Sequence, residues 1–550
     1  MKKFLIRLCA MLLVIATAFP CAGVSAAEES TAKAEPERES LVSMDYSGKT
    51  VIIHTNDVHG AIEGYAYVKG LKNTLEAKGA EVITVDCGDY SQGTIYVSID
   101  SGKSAVTMMN AVQYDISTIG NHEFDYGYKQ LKKNLKNAQF KVLCANTFSS
   151  KGKKVFEDNT VWTGKSGLKI GFFGLDTPEA MTKAHPAKMA GIRLSQGENL
   201  YSVAQAQIDM LKEDSDLVIC LAHLGVDYQS IPNTSENLYN NTTGLDLILD
   251  GHSHTVMSEG SGGEPVQSTG SRFENIGIVV IDNASKQIFA RTLIPMETVK
   301  ELVTPDAYVA KKAAKIIKKI DKKYGEVFAS SEVELNGEKA PGNRTEETNL
   351  GDLITDAMIW EVTKDKSGLL VDEDHVVAVM NGGGIRATIG TGDITMNDIK
   401  TVLPYGNTVA VIYVKGKVLL EALEASTYCT PDAIGGFPQV AGINYTVKTK
   451  KAFKQGEQYP DTTYYAPSKI NRVKITGING KAFDKNAVYA VVTNDFCASG
   501  GDTYYIFKKA SAQFDTGRAL DEVLIDYIKT VLGGVVGSEY ADPQGRITIK

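Results

Sequence analysis

Beyond its first two dozen residues this sequence has no run long and apolar enough for a membrane helix, no basic excess, no internal repeat and no paired set of cysteines. Each absence removes a class. A membrane helix needs about 20 consecutive apolar residues. Lys and Arg number 58 against 66 Asp and Glu, for a net charge of −8. That argues against a nucleic-acid polymer as main partner, because binding a phosphate backbone needs a basic surface. Of seven cysteines, two fall near the N-terminus. The remaining Cys87, Cys144, Cys220, Cys429 and Cys497 are odd in number and scattered, which is no disulfide framework. Cys87, Cys144 and Cys220 lie in or beside strand-like runs and read as small buried apolar residues. Histidine is scarce too, at eight in 550 residues, so its placement is informative.

Lys2, Lys3 and Arg7 precede an apolar run over 8–19, and Val24-Ser25-Ala26 supplies small residues for cleavage. This is the pattern of an export signal over residues 1–26. Pro20 before Cys21 speaks against a lipid anchor, so no stable membrane anchor is expected. Residues 27–45 lack periodicity and read as a flexible leader. The remaining length suffices for two domains. Strand-like runs at 51–55, 81–86, 116–119, 141–145, 168–174, 217–222 and 245–250 alternate with helix-like segments such as 65–78, 126–138 and 198–214. Such alternation argues for an α/β domain over 46–303. Residues 304–325 read as one Lys-rich connector helix, with Thr304 as cap, Pro305 in its first turn and Gly325 as its stop. Its lysines read as a solvated face. Residues 326–550 form a second, mixed α/β domain, with a capped helix from Asn349, a glycine cluster at 382–384 and a helix over 417–426.

The chemistry sits at the strand ends of the first domain, where open α/β sheets bind ligands. Asp57-Val58-His59 follows the first strand, Gly88-Asp89 the second, and Gly120-Asn121-His122-Glu123-Phe124-Asp125 the third. His223 ends a later strand, and Gly251-His252-Ser253-His254 another. Five of the eight histidines stand at these positions. Asp, His and Asn offer oxygen and nitrogen donors without thiolate, which suits zinc, manganese, cobalt or iron. Their number exceeds what one ion needs. Two divalent ions sharing a carboxylate would use them, and such a pair activates water and clamps a transferring phosphoryl group. The cations outweigh Asp57 and Asp89, which favours an anionic substrate.

The order Asp-x-His, Gly-Asp, Gly-Asn-His-Glu, lone His, Gly-His-x-His resembles that of the calcineurin-like metallophosphoesterases. The fuller runs at 54–60 and 120–125 resemble the 5′-nucleotidase family. The resemblance implies a calcineurin-like metallophosphoesterase β-sandwich flanked by helices, then the connector helix and a C-terminal substrate-binding domain. It implies that Asp57, His59, Asp89 and His254 hold one ion and that Asp89, Asn121, His223 and His252 hold the other. His122, oriented by Asp125, would be the catalytic dyad. Some 5′-nucleotidases carry Gln or Asn at the position of His254, but histidine is a competent ligand. His54 sits inside its strand and reads as structural, while His185 and His375 match no motif.

The second domain continues the resemblance in the runs at 344–351, 381–386, 403–407 and 496–502. Arg344 and Arg386 would grip phosphate, for which the planar guanidinium fork is suited. Tyr405, where well-known members have phenylalanine, and Phe496 would sandwich the nucleobase. Asn381 and Asn407 would lie near the base and Asp502 would take the ribose hydroxyls. The expectation is an exported phosphohydrolase that uses metal-activated water to remove the 5′-phosphate from nucleoside monophosphates, with the 304–325 helix as pivot between domains. Its rivals are 2′,3′-cyclic-nucleotide phosphodiesterase with 3′-nucleotidase, UDP-sugar hydrolysis, and a non-catalytic nucleotide-binding surface protein. The cyclic-nucleotide branch tends to carry Asn where this chain has Asp125, which favours 5′-nucleotidase.

Overall fold

Strands Lys49–Thr55, Glu81–Asp86 and Leu217–His223 are rich in Val, Ile and Leu and buried nearly throughout. They read as continuous apolar runs because both of their faces are covered. The computed structural model describes residues 44–365 and 368–550. The export signal and all but the last two residues of the leader lie outside the described residues. Two six-stranded sheets are built from the first half of the chain. One has the order Gln287–Pro295, Asn275–Asp282, Lys49–Thr55, Glu81–Asp86, Ile116–Ser117, Lys141–Val142. The other has the order Val256–Met257, Val266–Thr269, Leu247–Leu249, Leu217–His223, Lys169–Asp176, Asn159–Thr163. Ile52, Val85, Cys87 and Val279 of the first share a core with Phe172, Ile219, Leu221 and Leu249 of the second. Helices Tyr65–Ala77 and Lys103–Val112 cover the outer face of the first sheet, and Glu198–Lys212 covers that of the second. This is a β-sandwich flanked by helices, as the resemblance implies.

The inner strands of each sheet are parallel, so the loops after their C-terminal ends gather at one edge. The run expected at 141–145 is strand only at Lys141–Val142, because the chain crosses between sheets there. The Leu143 N–H still donates to Ser117, whereas those of Cys144 and Ala145 donate to Glu157 and Gly174.

His54 is structural. It is fully buried, and its Nε2 is 3.0 Å from Gln267 Oε1, which joins the two sheets. Burial holds its pKa down to about 4, so the ring is neutral at neutral pH. Gly277 pairs with His54 in register, and a Cβ there would stand 1.9 Å from His54 Nε2. Gly277→Ala is therefore expected to destabilise the protein by about 1–3 kcal/mol or more. A thermal melt that matches wild type would show that the sheets can part to admit the methyl.

The connector helix is Ala307–Tyr324, and it begins later than expected. Asp306, not Thr304, caps it, its side chain accepting from the Val309 N–H at 3.0 Å. Asp is a strong N-cap and the carboxylate also suits the positive end of the helix. Val309 and Ala313 join the core beneath Tyr65–Ala77 and Lys103–Val112, while Lys311, Lys315, Lys318 and Lys319 face solvent. The helix is thus packed onto the first sandwich rather than free between two bodies.

A five-stranded sheet follows, in the order Pro438–Ala441, Val376–Asn381, Val488–Asn494, Thr408–Lys415, Ala512–Ala519. Asn349–Thr363 and Leu520–Thr530 pack on one face, and Gly416–Ser426 on the other. Thr348 is the cap of Asn349–Thr363, accepting from the Gly351 N–H. The Asn349 side chain instead ties distant segments, accepting from Asn336 N and donating to Glu334 O and Tyr540 O. All five described cysteines are buried and free.

Candidate active site

Five loops meet at the strand ends, and they hold backbone that ordinary residues avoid. Asp57 (φ 49°), His59 (45°), Asp89 (61°), His252 (78°) and His254 (58°) are all left-handed. For residues other than glycine this costs on the order of 1 kcal/mol or more each, and it persists where surrounding structure enforces it. Gly120 has no room for a side chain, since a Cβ would stand 2.4 Å from Asp89 Oδ1 and 2.6 Å from His223 Nε2. Glu123 locks two loops together. Its carboxylate accepts from the backbone N–H groups of Asp89, Tyr90, Ser91 and Gly120. Burial, with Asp89 nearby, pushes its pKa up to about 7.

These constraints aim polar atoms at one another. Asp57 Oδ1 is 3.4 Å from His254 Nε2, 3.8 Å from His59 Nε2 and 3.9 Å from His223 Nε2. Asp89 Oδ2 is 3.1 Å from His223 Nε2 and 3.9 Å from His59 Nε2. His59 Nε2 and His254 Nε2 are 3.0 Å apart, and Asn121 Oδ1 is 2.8 Å from His252 Nδ1. Asp57 Oδ1 and His223 Nε2 are buried without a hydrogen-bond partner. Burial holds His59 and His254 well below the usual imidazole pKa, so both rings are neutral and keep a lone pair. Convergent lone pairs and orphaned buried acceptors fit divalent cations, the ligand class that such nitrogen and oxygen sets take. Two cation-sized groupings stand out among the described residues: Asp57, His59 and His254, and Asp57, Asp89 and His223. Asp57 belongs to both and Asp89 to the second alone, whereas the resemblance has Asp89 as the shared carboxylate.

His122 stands beside this cluster. Its N–H donates to Asp89 Oδ1 at 2.8 Å and its Nδ1 is 2.7 Å from Asp125 Oδ2. That pairing leaves Nε2 free, 4.0 Å from Asp89 Oδ2. A single cavity is lined on one side by Asp89, Asn121, His122, Asp125, His252 and His254. Across it stand Arg344, Asn381, Arg386, Tyr405, Asn407, Phe496 and Asp502. Asp57, His59 and His223 lie behind this wall, each essentially unexposed. The structure therefore brings together residues from both halves of the chain that the sequence reading grouped. Arg386 Nη2 comes within 3.5 Å of His59 Nε2. Burial and the neighbouring Arg386 lower Arg344 to about 10, which leaves it charged at neutral pH.

Some placements differ from expectation. The Tyr405 ring stacks on His122, with centroids 5.7 Å apart and planes at 26°. Asn381 is tied to the polar network, donating to Asp502 Oδ2 and accepting from Asn494 Nδ2, both at 2.9 Å. His185, which matched no motif, lines the cavity; its ring is 6.5 Å from that of Phe496 and its Nε2 is 3.6 Å from Asp495. His375 stands elsewhere, bonded to Asp374 and stacked on Tyr489. Lys183 was also missed. Its Nζ donates to Asp502 Oδ1 at 2.9 Å, and Asp502 N–H donates to Thr182 O. No periodicity or motif marked that short helix as facing the second half of the chain.

Comparison with known proteins agrees with this layout. Residues 50–256 match the calcineurin-like phosphoesterase family, and residues 327–509 match the 5′-nucleotidase C-terminal domain. A trifunctional nucleotide phosphoesterase of Bacillus subtilis is 28% identical over 90% of this chain, which spans only 34% of that longer protein. A 5′-nucleotidase of Vibrio cholerae is 26% identical, over 88% of this chain and 91% of its own length. The crystal structure of a 5′-nucleotidase precursor from Thermus thermophilus superposes with a TM-score of 0.76 at 28% identity. It covers 91% of this chain and 99% of that one.

Proposed function

The chain belongs to the 5′-nucleotidase family of hydrolases, and from that premise we propose that it removes the 5′-phosphate from nucleoside monophosphates. One observation carries the reading: a metal-competent cluster and a His–Asp dyad face two arginines and two aromatic rings across one cavity. Two divalent ions, held by Asp57, His59, Asp89 and His254 and by Asp89, Asn121, His223 and His252, would activate water and offset phosphoryl charge. Zinc, manganese, cobalt and iron all suit this donor set.

The protein's own groups do the rest. Asp125 accepts the Nδ1–H of His122 and balances the charge of the doubly protonated ring, whose Nε2–H donates to a phosphoryl oxygen as charge builds there. Arg344 and Arg386 grip the remaining phosphate oxygens and set the phosphorus in line for attack. The first half of the chain, to about residue 303, is the catalytic domain, and residues 326–550 are the substrate reader. Within the reader Tyr405 and Phe496 stack the base, Asn381 and Asn407 line its edge and Asp502 receives the ribose hydroxyls. Export is part of the proposal, on the charge and hydropathy of residues 1–26. No helix among the described residues is long and apolar enough to cross a membrane.

The test is phosphate release by the purified protein with manganese or zinc, comparing AMP, 2′,3′-cyclic AMP and UDP-glucose. AMP is expected to be the best substrate. Turnover of the cyclic substrate alone would move the assignment to the phosphodiesterase, and AMP binding without turnover would make this a binding protein. Base stacking contributes about 1–3 kcal/mol per base. Tyr405→Ala and Phe496→Ala are therefore each expected to raise KM for AMP by roughly 5- to 150-fold, and Phe496→Ala, whose ring does not touch His122, to change kinetics on ribose 5-phosphate little. Equal losses on both substrates in Phe496→Ala would place that ring outside the base site.

A further inference from the structure

An imidazole that gives one lone pair to a metal must carry its proton on the other nitrogen, and a second partner usually fixes that choice. For two histidines of the cluster the partner is main chain. His223 Nδ1 is 2.7 Å from Cys87 O, and His59 Nδ1 is 3.1 Å from Gln92 O. In both, Nε2 is left to face the cluster. His252 is turned the other way round. Its Nδ1 faces inward, 2.8 Å from Asn121 Oδ1; with both atoms as ligands of the ion assigned to them above, the Nδ1 lone pair is committed to metal and the proton belongs on Nε2.

That Nε2 is buried and makes no hydrogen bond within the usual geometric limits. The group opposite is Glu179, whose Oε2 is 3.5 Å away. Glu179 stands just after strand Lys169–Asp176, at the N-terminus of the short helix Ala180–Lys183. It is 0% exposed, and neither carboxylate oxygen has a hydrogen-bond partner within the usual limits, the His252 ring and the Ser230 hydroxyl being the donors beside it. The nearest cation is Lys183 Nζ at 3.8 Å. A buried carboxylate and a buried ring N–H are each costly when unpaired, and here each is the other's available partner.

We propose that Glu179 is the positioning residue for His252. It accepts the Nε2–H hydrogen bond, keeps the Nδ1 lone pair available to the ion that Asn121 Oδ1 would also hold, and thereby sets the affinity of one of the two ions. The inference rests on the two-ion reading above. Among His59, His223 and His252 it singles out His252 as the one whose outer partner is a side chain, and so can be removed by substitution.

The experiment is a titration of the metal-stripped full chain with Mn²⁺, following free ion by its paramagnetic resonance signal. Wild type is expected to take up two ions. Glu179→Ala is expected to keep one ion at wild-type affinity and to weaken the other by about 10- to 100-fold. Glu179→Gln retains an oxygen acceptor without the charge, so its loss is expected to be smaller and confined to the same ion. Met181→Ala, on the same short helix but not among the cavity residues, is expected to leave both affinities unchanged, which a mere packing role for the helix would not predict. Wild-type affinities in Glu179→Ala, or equal weakening by Met181→Ala, would overturn the assignment. Where Glu179→Ala does not fold, Glu179→Gln decides: weakening of one ion supports the proposal and unchanged binding of both defeats it. A wild-type protein that takes up fewer than two ions defeats the two-ion reading itself, and the inference with it, whatever the variants do.

Discussion

Replacing His122 with alanine is expected to lower kcat for AMP by about 10²–10⁴-fold while leaving bound metal unchanged. The geometry separates those two effects. His122 Nδ1 is committed to Asp125 at 2.7 Å, and Nε2 faces the cavity 4.0 Å from Asp89 Oδ2. The residue belongs to neither cation-sized group. Its loss removes a donor that acts as charge develops on the phosphoryl oxygens, not one that holds the ground state. KM should therefore move far less than kcat, because Arg344 and Arg386 still bind phosphate. Asp125→Asn should follow in the same direction with a smaller loss, since an amide can still orient the ring through its oxygen. Steady-state kinetics on AMP beside elemental analysis of the desalted protein checks both halves. A kcat within about threefold of wild type would remove His122 from the chemistry.

The strand ends were legible because chemistry there is compressed into short runs. Asp57-Val58-His59 and Gly120 to Asp125 each place two or more functional side chains on a single loop, and the parallel strands before them guarantee a shared edge. The arginines and Phe496 were legible only through resemblance, since one Arg or one Phe in a mixed domain has no distinguishing period. What stayed hidden depends on how the two halves meet. Lys183 and His185 lie on a short helix and the turn after it, with no hydrophobic pattern, and become part of the cavity only because Asp502 and Phe496 approach from more than 300 residues away. Glu123 shows the same limit at close range. It was visible as part of a motif, but its role as acceptor for four backbone N–H groups on two loops cannot be read from spacing. The connector helix erred for a local reason. Thr304 and Asp306 are both competent caps, and the packing of Val309 and Ala313 selected the later one.

Asp89→Asn is expected to be the more damaging substitution, because one carboxylate serves three neighbours. Its Oδ2 faces His223 at 3.1 Å and His59 at 3.9 Å, and its Oδ1 receives the His122 N–H at 2.8 Å. An amide preserves the shape but removes a negative charge that the site uses to hold cations, and it offers one oxygen where two are employed. Lewis-acid stabilisation is worth several kcal/mol, and each 1.36 kcal/mol is tenfold in rate, so kcat is expected to fall by roughly 10³-fold or more. Unlike His122→Ala, this change should also lower metal content. Stability supplies an independent readout. Asp57, Asp86, Asp89, Glu123 and Asp176 are all buried around the site, and bound cations would offset the cost of burying their charge. Ions that bind only the folded state add about 4 kcal/mol at a thousandfold excess over Kd. A chelator should thus lower the melting temperature of wild type clearly and that of Asp89→Asn much less. Equal chelator shifts in the two proteins would mean that Asp89 does not hold metal, and the sharing of a carboxylate between two ions would have to be abandoned.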